Sequence, residues 1–159
     1  MAARPSPAHT AGTVLGVIWL LRHGDAEEGS GDDDSRRLTP KGERQGRSAG
    51  RALAALGVEL DACISSPRVR AAEMARLACD PLELTVETAD QLAGGDFDPL
   101  DLAVGREDVL LVGHEPDLST AIARLTGAKV AMKKGGLAAI DDSQLLALLR
   151  PEHLERIAG

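Results

Sequence analysis

Aromatic residues are nearly missing from this chain: one tryptophan, Trp19, one phenylalanine, Phe97, and no tyrosine in 159 residues. A core must then be built from Leu, Val, Ile and Ala, and the stacking platforms that hold single-stranded nucleic acid are not available. Basic charge is short as well. Eighteen Lys and Arg against 25 Asp and Glu leave a net charge of −7, with a pI near 5.1, which argues against a general affinity for nucleic acid or an anionic membrane. Any anion site must be a local pocket. Only two cysteines occur, Cys63 and Cys79, at a spacing that matches no zinc or redox motif, and both read as reduced thiols. No apolar run is long enough to span a bilayer. Met1 to Thr13 carries Arg4, Pro5 and Pro7 ahead of an apolar stretch, without a small-residue cleavage site before Arg22. It reads as a flexible N-terminal tail of a cytoplasmic protein, not as a signal peptide.

What is present suits one domain over residues 14–159, with 43% hydrophobic and 27% charged residues and length enough to bury a core. Val14 to Leu21 is an apolar run of strand length, rich in β-branched residues, which stops at Arg22-His23-Gly24. Gly29 to Arg37 reads as an exposed loop. Thr39 looks like an N-cap with Pro40 at the first helical position and Glu43 near the capping-box spacing, opening a helix to Leu56 on the apolar positions Ala49, Ala52, Leu53 and Leu56, with Gly57 as its stop. Ala62 to Ser65 is a short buried strand; Ser66-Pro67 repeats the cap-and-proline pattern for a helix to Cys79. Leu84 to Glu87 reads as a third strand, Leu100 to Val104 as a short helix, Asp108 to Val112 as the clearest strand, and Asp117 to Leu125 as a helix. Leu137–Ile140 and Gln144–Leu149 form a closing pair around Asp-Asp-Ser, one of them antiparallel to the rest. Strands alternating with helices predict a single α/β/α three-layer sandwich around a mostly parallel sheet.

In such a sheet the carboxyl ends of the strands share one edge, where α/β proteins keep their ligand sites. Arg22 and His23, Arg70 at the start of the second helix, and His114 after the fourth strand would meet there. Arg22 can fork two hydrogen bonds onto a phosphate, Gly24 lets backbone come close, and His23 can attack phosphorus. The three stretches Leu21-Arg22-His23-Gly24, Ser66-Pro67-Arg68-Val69-Arg70-Ala71 and Val112-Gly113-His114-Glu115-Pro116, in this order, resemble the histidine phosphatase superfamily. The short length, Leu38-Thr39-Pro40-Lys41-Gly42 after a brief loop, and Gly113 to Ser119 are similar to its small SixA-like phosphohistidine phosphatases. That resemblance implies a phosphoglycerate mutase-like fold and a covalent phosphohistidine on His23. It also implies Arg22, Arg70 and His114 on the phosphoryl oxygens, with no cofactor and no metal. Arg68 reads as a rim residue, and Arg36, Arg37, Lys133 and Lys134 as surface charges.

The chain departs from many members of that superfamily in the region after the third strand, Thr88 to Asp96, which has no clear glutamate to protonate a leaving oxygen. Asp90 and Asp96 are the candidates, and both also read as solvated loop residues. Met74 stands where relatives often have threonine. A missing acid matters least when the leaving group is an imidazole, whose pKa is about 6.5. The expectation is therefore a phosphatase acting on a phosphohistidine-bearing protein, such as a phosphotransfer domain. The alternatives are a phosphatase for a small ester such as a sugar phosphate or nucleotide, and a non-catalytic phosphate-binding module. Oligomeric state stays open between a monomer and a weak dimer.

Overall fold

The computed structural model describes residues 16–29 and 31–159; the expected tail over 1–13 lies outside them. Among the described residues six strands and five α-helices follow one another: β1 Ile18–Arg22, α1 Pro40–Ala55, β2 Ala62–Ser65, α2 Val69–Cys79, β3 Val86–Thr88, α3 Pro99–Ala103, β4 Val109–Gly113, α4 Asp117–Thr126, β5 Leu137–Asp141, β6 Gln144–Leu149 and α5 Pro151–Ala158. The strands form one sheet in the order β3-β2-β4-β1-β5-β6. Only β5 runs against the others, since it is antiparallel to both β1 and β6 while β1, β2, β3 and β4 pair in parallel. The expected mixed sheet is borne out. No helix among the described residues is long and apolar enough to cross a membrane.

Period-two alternation along the central strands separates two cores. Leu21, Leu110 and Val112 face one side, with Ala52 and Leu53 of α1, Ala71 and Met74 of α2, and Leu154 of α5. Ile18, Leu20, Val109 and Leu111 face the other, with Ala103 of α3 and Leu118, Ala121 and Ile122 of α4. A strand buried on both faces has no polar side to show, which is why β1 and β4 read as unbroken apolar runs.

Several boundaries differ from expectation. β1 starts at Ile18 and includes Arg22. α2 begins at Val69 with Arg68 in the cap position and no side-chain cap; Ser66 instead accepts a 3.2 Å hydrogen bond from the Arg68 amide in the turn before the helix. β3 is displaced to Val86–Thr88. Leu56 is 49% exposed as the α1 cap instead of a core position. Thr39 does cap α1 through Gly42 N at 3.1 Å, but its own amide donates to the Asp25 carbonyl at 3.0 Å, so Asp25 takes the part assigned to Glu43. α5 was not expected at all. Its four charged or polar residues Glu152, His153, Glu155 and Arg156 hide a narrow apolar stripe around buried Leu154.

The first turn of α1 presses on the loop after β1, and two glycines make that possible. A Cβ on Gly24 would lie 2.8 Å from Gln45 Oε1 and 2.9 Å from the Gly42 Cα, and one on Gly42 would collide with the Asp25 carbonyl. Gly24 is thus demanded by helix packing, a reason distinct from the phosphate approach its motif suggests. Gly42→Ala is expected to lower stability by about 2–3 kcal/mol: the helix-propensity gain of about 1 kcal/mol is outweighed because the obstacle is backbone, which cannot rotate aside. Chemical denaturation would show it as a lower midpoint at unchanged slope.

Candidate active site

The parallel register sets Arg22 beside Gly113 and Ser65 beside Val112, so β1, β2 and β4 end together and the residues just beyond them gather. The Arg22 amide donates to the Gly136 carbonyl at 3.0 Å, and its guanidinium Nη1 donates to the Met132 carbonyl at 2.8 Å. His23 follows, its amide bonded to the Gly113 carbonyl at 3.2 Å. Its Nδ1 lies 2.8 Å from the Gly24 carbonyl. A carbonyl oxygen only accepts, so Nδ1 carries the proton and the lone pair is on Nε2. His114 follows β4 and places Nε2 2.8 Å from the hydroxyl of Ser66, the residue after β2. The two imidazoles stand 5.1 Å apart between centroids at 56°. Arg70 enters from the first turn of α2. His23, His114 and Arg70 are all buried, at 7%, 6% and 5% exposure.

Burial of this much polar surface has clear electrostatic consequences. Desolvation pulls the His23 pKa down to about 4, helped by the positive charges of Arg70, Arg22 and Arg36 and opposed by the Gly24 carbonyl. His114 falls to about 3, again by burial first and then by His23 and the arginines. Burial also lowers the Arg22 pKa, and the charge of Glu115 works against that. Both imidazoles are therefore neutral at pH 7 while two guanidiniums remain cationic. Arg22 Nε, Arg70 Nε and His114 Nδ1 are buried without a protein partner. Unpaired buried donors next to net positive charge form a place for an anion.

The structure thus brings together Arg22, His23, Arg70 and His114, as the sequence suggests. Asp96 turns away onto Arg124 of α4 at 3.3 Å, and Asp90 is exposed at the start of a 3-10 turn after β3. Among the described residues no hydrogen bond or ion pair joins either to the four site residues. Arg37 pairs with Glu73 at 3.1 Å and Lys134 lies 3.6 Å from Asp25. Four supporting residues escaped the sequence reading. Ser66 fixes His114. Gln45 accepts from the Asp25 amide at 2.8 Å, bracing the loop after His23. Glu115 accepts from Ser119 N at 2.8 Å and Met132 N at 3.1 Å, steadying the carbonyl that holds Arg22. Asp33 contacts Arg70 directly. Ser66 and Glu115 sit inside quoted motifs, whereas nothing local distinguishes Asp33 from its neighbours Asp32 and Asp34. No group of three or more metal-binding side chains occurs among the described residues.

The sequence profile of the histidine phosphatase superfamily (branch 1) matches residues 18–102, just over half of the chain. The chain belongs to the histidine phosphatase superfamily. The match includes Arg22, His23 and Arg70; His114 lies beyond it and joins them through the sheet. Serine/threonine-protein phosphatase Pgam5, mitochondrial, from Drosophila yakuba is 33% identical over 70 residues, 44% of this chain and 24% of that protein. The match therefore spans about a quarter of that relative's length. The fold of this superfamily member is similar to that of the protein histidine phosphatase SixA complexed with tungstate (TM-score 0.75, 22% identity, 87% of this chain and 99% of that one). It is also similar to that of the alpha-ribazole phosphatase from Shigella flexneri (TM-score 0.68, 22% identity, 84% and 96%). These names cover a serine/threonine-protein, a protein-histidine and a small-molecule phosphatase, so the fold does not select the substrate.

Proposed function

We propose that this chain is a phosphatase that takes a phosphoryl group onto Nε2 of His23 and passes it to water, and that its substrate is phosphohistidine on a protein. The observation that carries the proposal is a buried, neutral His23 with its proton fixed on Nδ1 by the Gly24 carbonyl, flanked by two guanidiniums and a second neutral imidazole. Nε2 attacks phosphorus in line and the P–N bond of the substrate breaks. Arg22, Arg70 and His114 hold the three peripheral oxygens as charge redistributes. If Ser66 donates its hydroxyl proton to Nε2 of His114, then Nδ1–H of that ring is the donor that faces the phosphoryl group. Water then attacks the phosphohistidine formed on His23, and the ring leaves as neutral imidazole because Nδ1 kept its proton.

The choice of substrate rests on proton supply. Hydrogen bonds from Arg36 and Arg70 hold the Asp33 carboxyl below the usual carboxylate range, so it stays ionised and has no proton to give. An alkoxide leaving group needs a general acid, worth about 10²–10⁴-fold. A phosphohistidine brings its own proton: protonated on its far nitrogen, it departs as neutral imidazole. Phosphotransfer domains, which display such a residue on an open surface, are substrates of this kind. One carboxyl keeps the ester reading alive. Asp117, three residues past His114 on α4, has its pKa raised by burial, with Asp96 and Glu115 adding to the rise and a hydrogen bond from the Gly95 backbone and the charge of Arg68 opposing it; it is the carboxyl an ester reading would draw on.

Phosphate release should be measured side by side on a phosphohistidine protein, a phosphoserine peptide and a set of small phosphomonoesters. Preference for the phosphohistidine protein by at least about tenfold, unchanged in Asp117→Asn, is expected. Preference for an ester that Asp117→Asn removes would replace the proposal with a small-molecule or phosphoserine phosphatase, and binding of phosphate without turnover would make the chain a binding module.

A further inference from the structure

The loop joining β1 to α1 puts one carboxylate on three arginines. Asp33 opens a 3-10 turn over 33–35. Its carbonyl accepts Arg70 Nη1 at 2.7 Å and its Oδ2 accepts Arg70 Nη2 at 3.1 Å. Oδ2 also meets Arg68 Nη1 at 3.2 Å, and Oδ1 meets Arg36 Nη1 at 3.0 Å. The partners are unequal in exposure: the Arg70 side chain is 6% accessible and that of Asp33 is 55%. One residue of a surface loop thus reaches in and engages both terminal nitrogens of the buried guanidinium, Nη1 through its backbone carbonyl and Nη2 through its carboxylate.

Those are the nitrogens with which an arginine grips a phosphoryl group end-on. A guanidinium offers five N–H bonds in one plane; Asp33 takes one from each terminal nitrogen, and Nε is the nitrogen of Arg70 left without a partner. Two anions cannot share the fork without repelling each other at close range. The turn closes on itself, Asp32 accepting from Asp34 N at 3.1 Å and from Ser35 Oγ at 3.0 Å, and its side-chain hold on α2 beside the site is through the exposed carboxylates of Asp33 and Asp34 on Arg68 and Arg70, which can exchange partners. A solvent-open recess of about 260 Å³ lined by Glu28, Gly29, Gly31, Asp33 and Arg36 adjoins it.

We propose that Asp33 is a displaceable internal occupant of the phosphate site, and that the phosphoryl group of a substrate binds by driving its carboxylate off Arg70. The loop over residues 31–37 then has two positions, on the arginine in the free protein and off it in the complex. This rests on the assignment of Arg70 to the phosphoryl group made above. A site whose competent form is a minor share of the population binds weaker by that fraction. With the unpaired form at a tenth to a fifth, removal of the occupant tightens phosphate by about five- to tenfold.

Calorimetric titration of the full chain with inorganic phosphate tests this with Asp33→Asn and Asp34→Asn. Asp34 lies 3.2 Å from Arg68 Nε and has no bond to Arg70, so its variant registers the loss of one loop charge by itself. Asp33→Asn is expected to lower the phosphate Kd five- to tenfold and Asp34→Asn less than twofold. Hydrogen exchange at the Ser35 and Arg36 amides, bonded to Asp32 and Asp33 in the free protein, is expected to quicken when phosphate saturates the wild type. Equal effects of the two variants, or slower exchange on binding, overturn the inference. Phosphate binding that Arg70→Ala does not weaken would instead overturn the site assignment, and that outcome is read separately.

Discussion

Replacing His23 with alanine is expected to stop phosphate release altogether, by at least about 10⁴-fold in kcat, a drop of the size found when a catalytic nucleophile is removed. No neighbouring group can take over. His114 is also a neutral imidazole, but its Nε2 is engaged with Ser66, and its other nitrogen is assigned to a phosphoryl oxygen. Arg22→Ala should cost less, about 10- to 100-fold, because it removes one charge-assisted donor worth roughly 1.5–3 kcal/mol and leaves the nucleophile in place. Ser66→Ala should cost less again, since it loosens a ring without removing one. The direct check is to trap the intermediate by an alkaline denaturing quench after mixing with a labelled phosphohistidine protein. Base-stable, acid-labile label on the wild type and none on His23→Ala is the expected pair of results. Label persisting in His23→Ala would put the nucleophile elsewhere and sink the mechanism.

The part of this site that can be read from the sequence is the part carried by strand ends. β1 and β4 are apolar on both faces, so their limits show as sudden polar residues, Arg22-His23 and His114, and a parallel sheet must bring such limits to one edge. Thr39-Pro40 announces α1 for a similarly local reason, a hydroxyl and a fixed φ at the first turn. What could not be read depends on packing between segments distant in sequence. Asp33 meets Arg70 across 37 positions, and three consecutive aspartates give no sign of which one will do so. Glu115 steadies Met132 across 17 positions in a stretch with no secondary structure to locate it. Gly24 is legible as a glycine but not in its cause, because the crowding comes from Gly42 and Gln45 of α1, and how that helix packs on the loop after β1 leaves no local pattern. α5 was missed because one buried leucine among charged neighbours is too faint a periodic signal.

The same burial that keeps both imidazoles neutral should make the protein sensitive to mild acid. In the unfolded chain a histidine titrates near 6.5; in the fold His23 titrates at about 4 and His114 at about 3. A depressed histidine pKa means that the unfolded state binds protons first. The stability contributed by a neutral buried ring is therefore complete above about pH 6.5 and is lost as the pH falls from there toward 4. Between pH 7 and pH 5 each ring accounts for about 2 kcal/mol, together about 4 kcal/mol out of the 5–15 kcal/mol typical of a domain. Carboxylates held low by arginines, such as Asp33 and Glu87, lose their contribution only below the ordinary carboxylate range, so this window belongs to the histidines. Asp117, raised by burial, takes up its proton earlier in the fold than in the unfolded chain and works in the opposite direction. Thermal melts from pH 7 to pH 5 are expected to fall by roughly 8–16 °C at 2–4 °C per kcal/mol, and His114→Gln, which has no proton to bind in either state, should remove about half of that slope. A flat profile for the wild type, or an unchanged slope in the variant, would mean that the rings are not buried neutral, and the reading of His23 as a nucleophile with a free lone pair at neutral pH would fail with it.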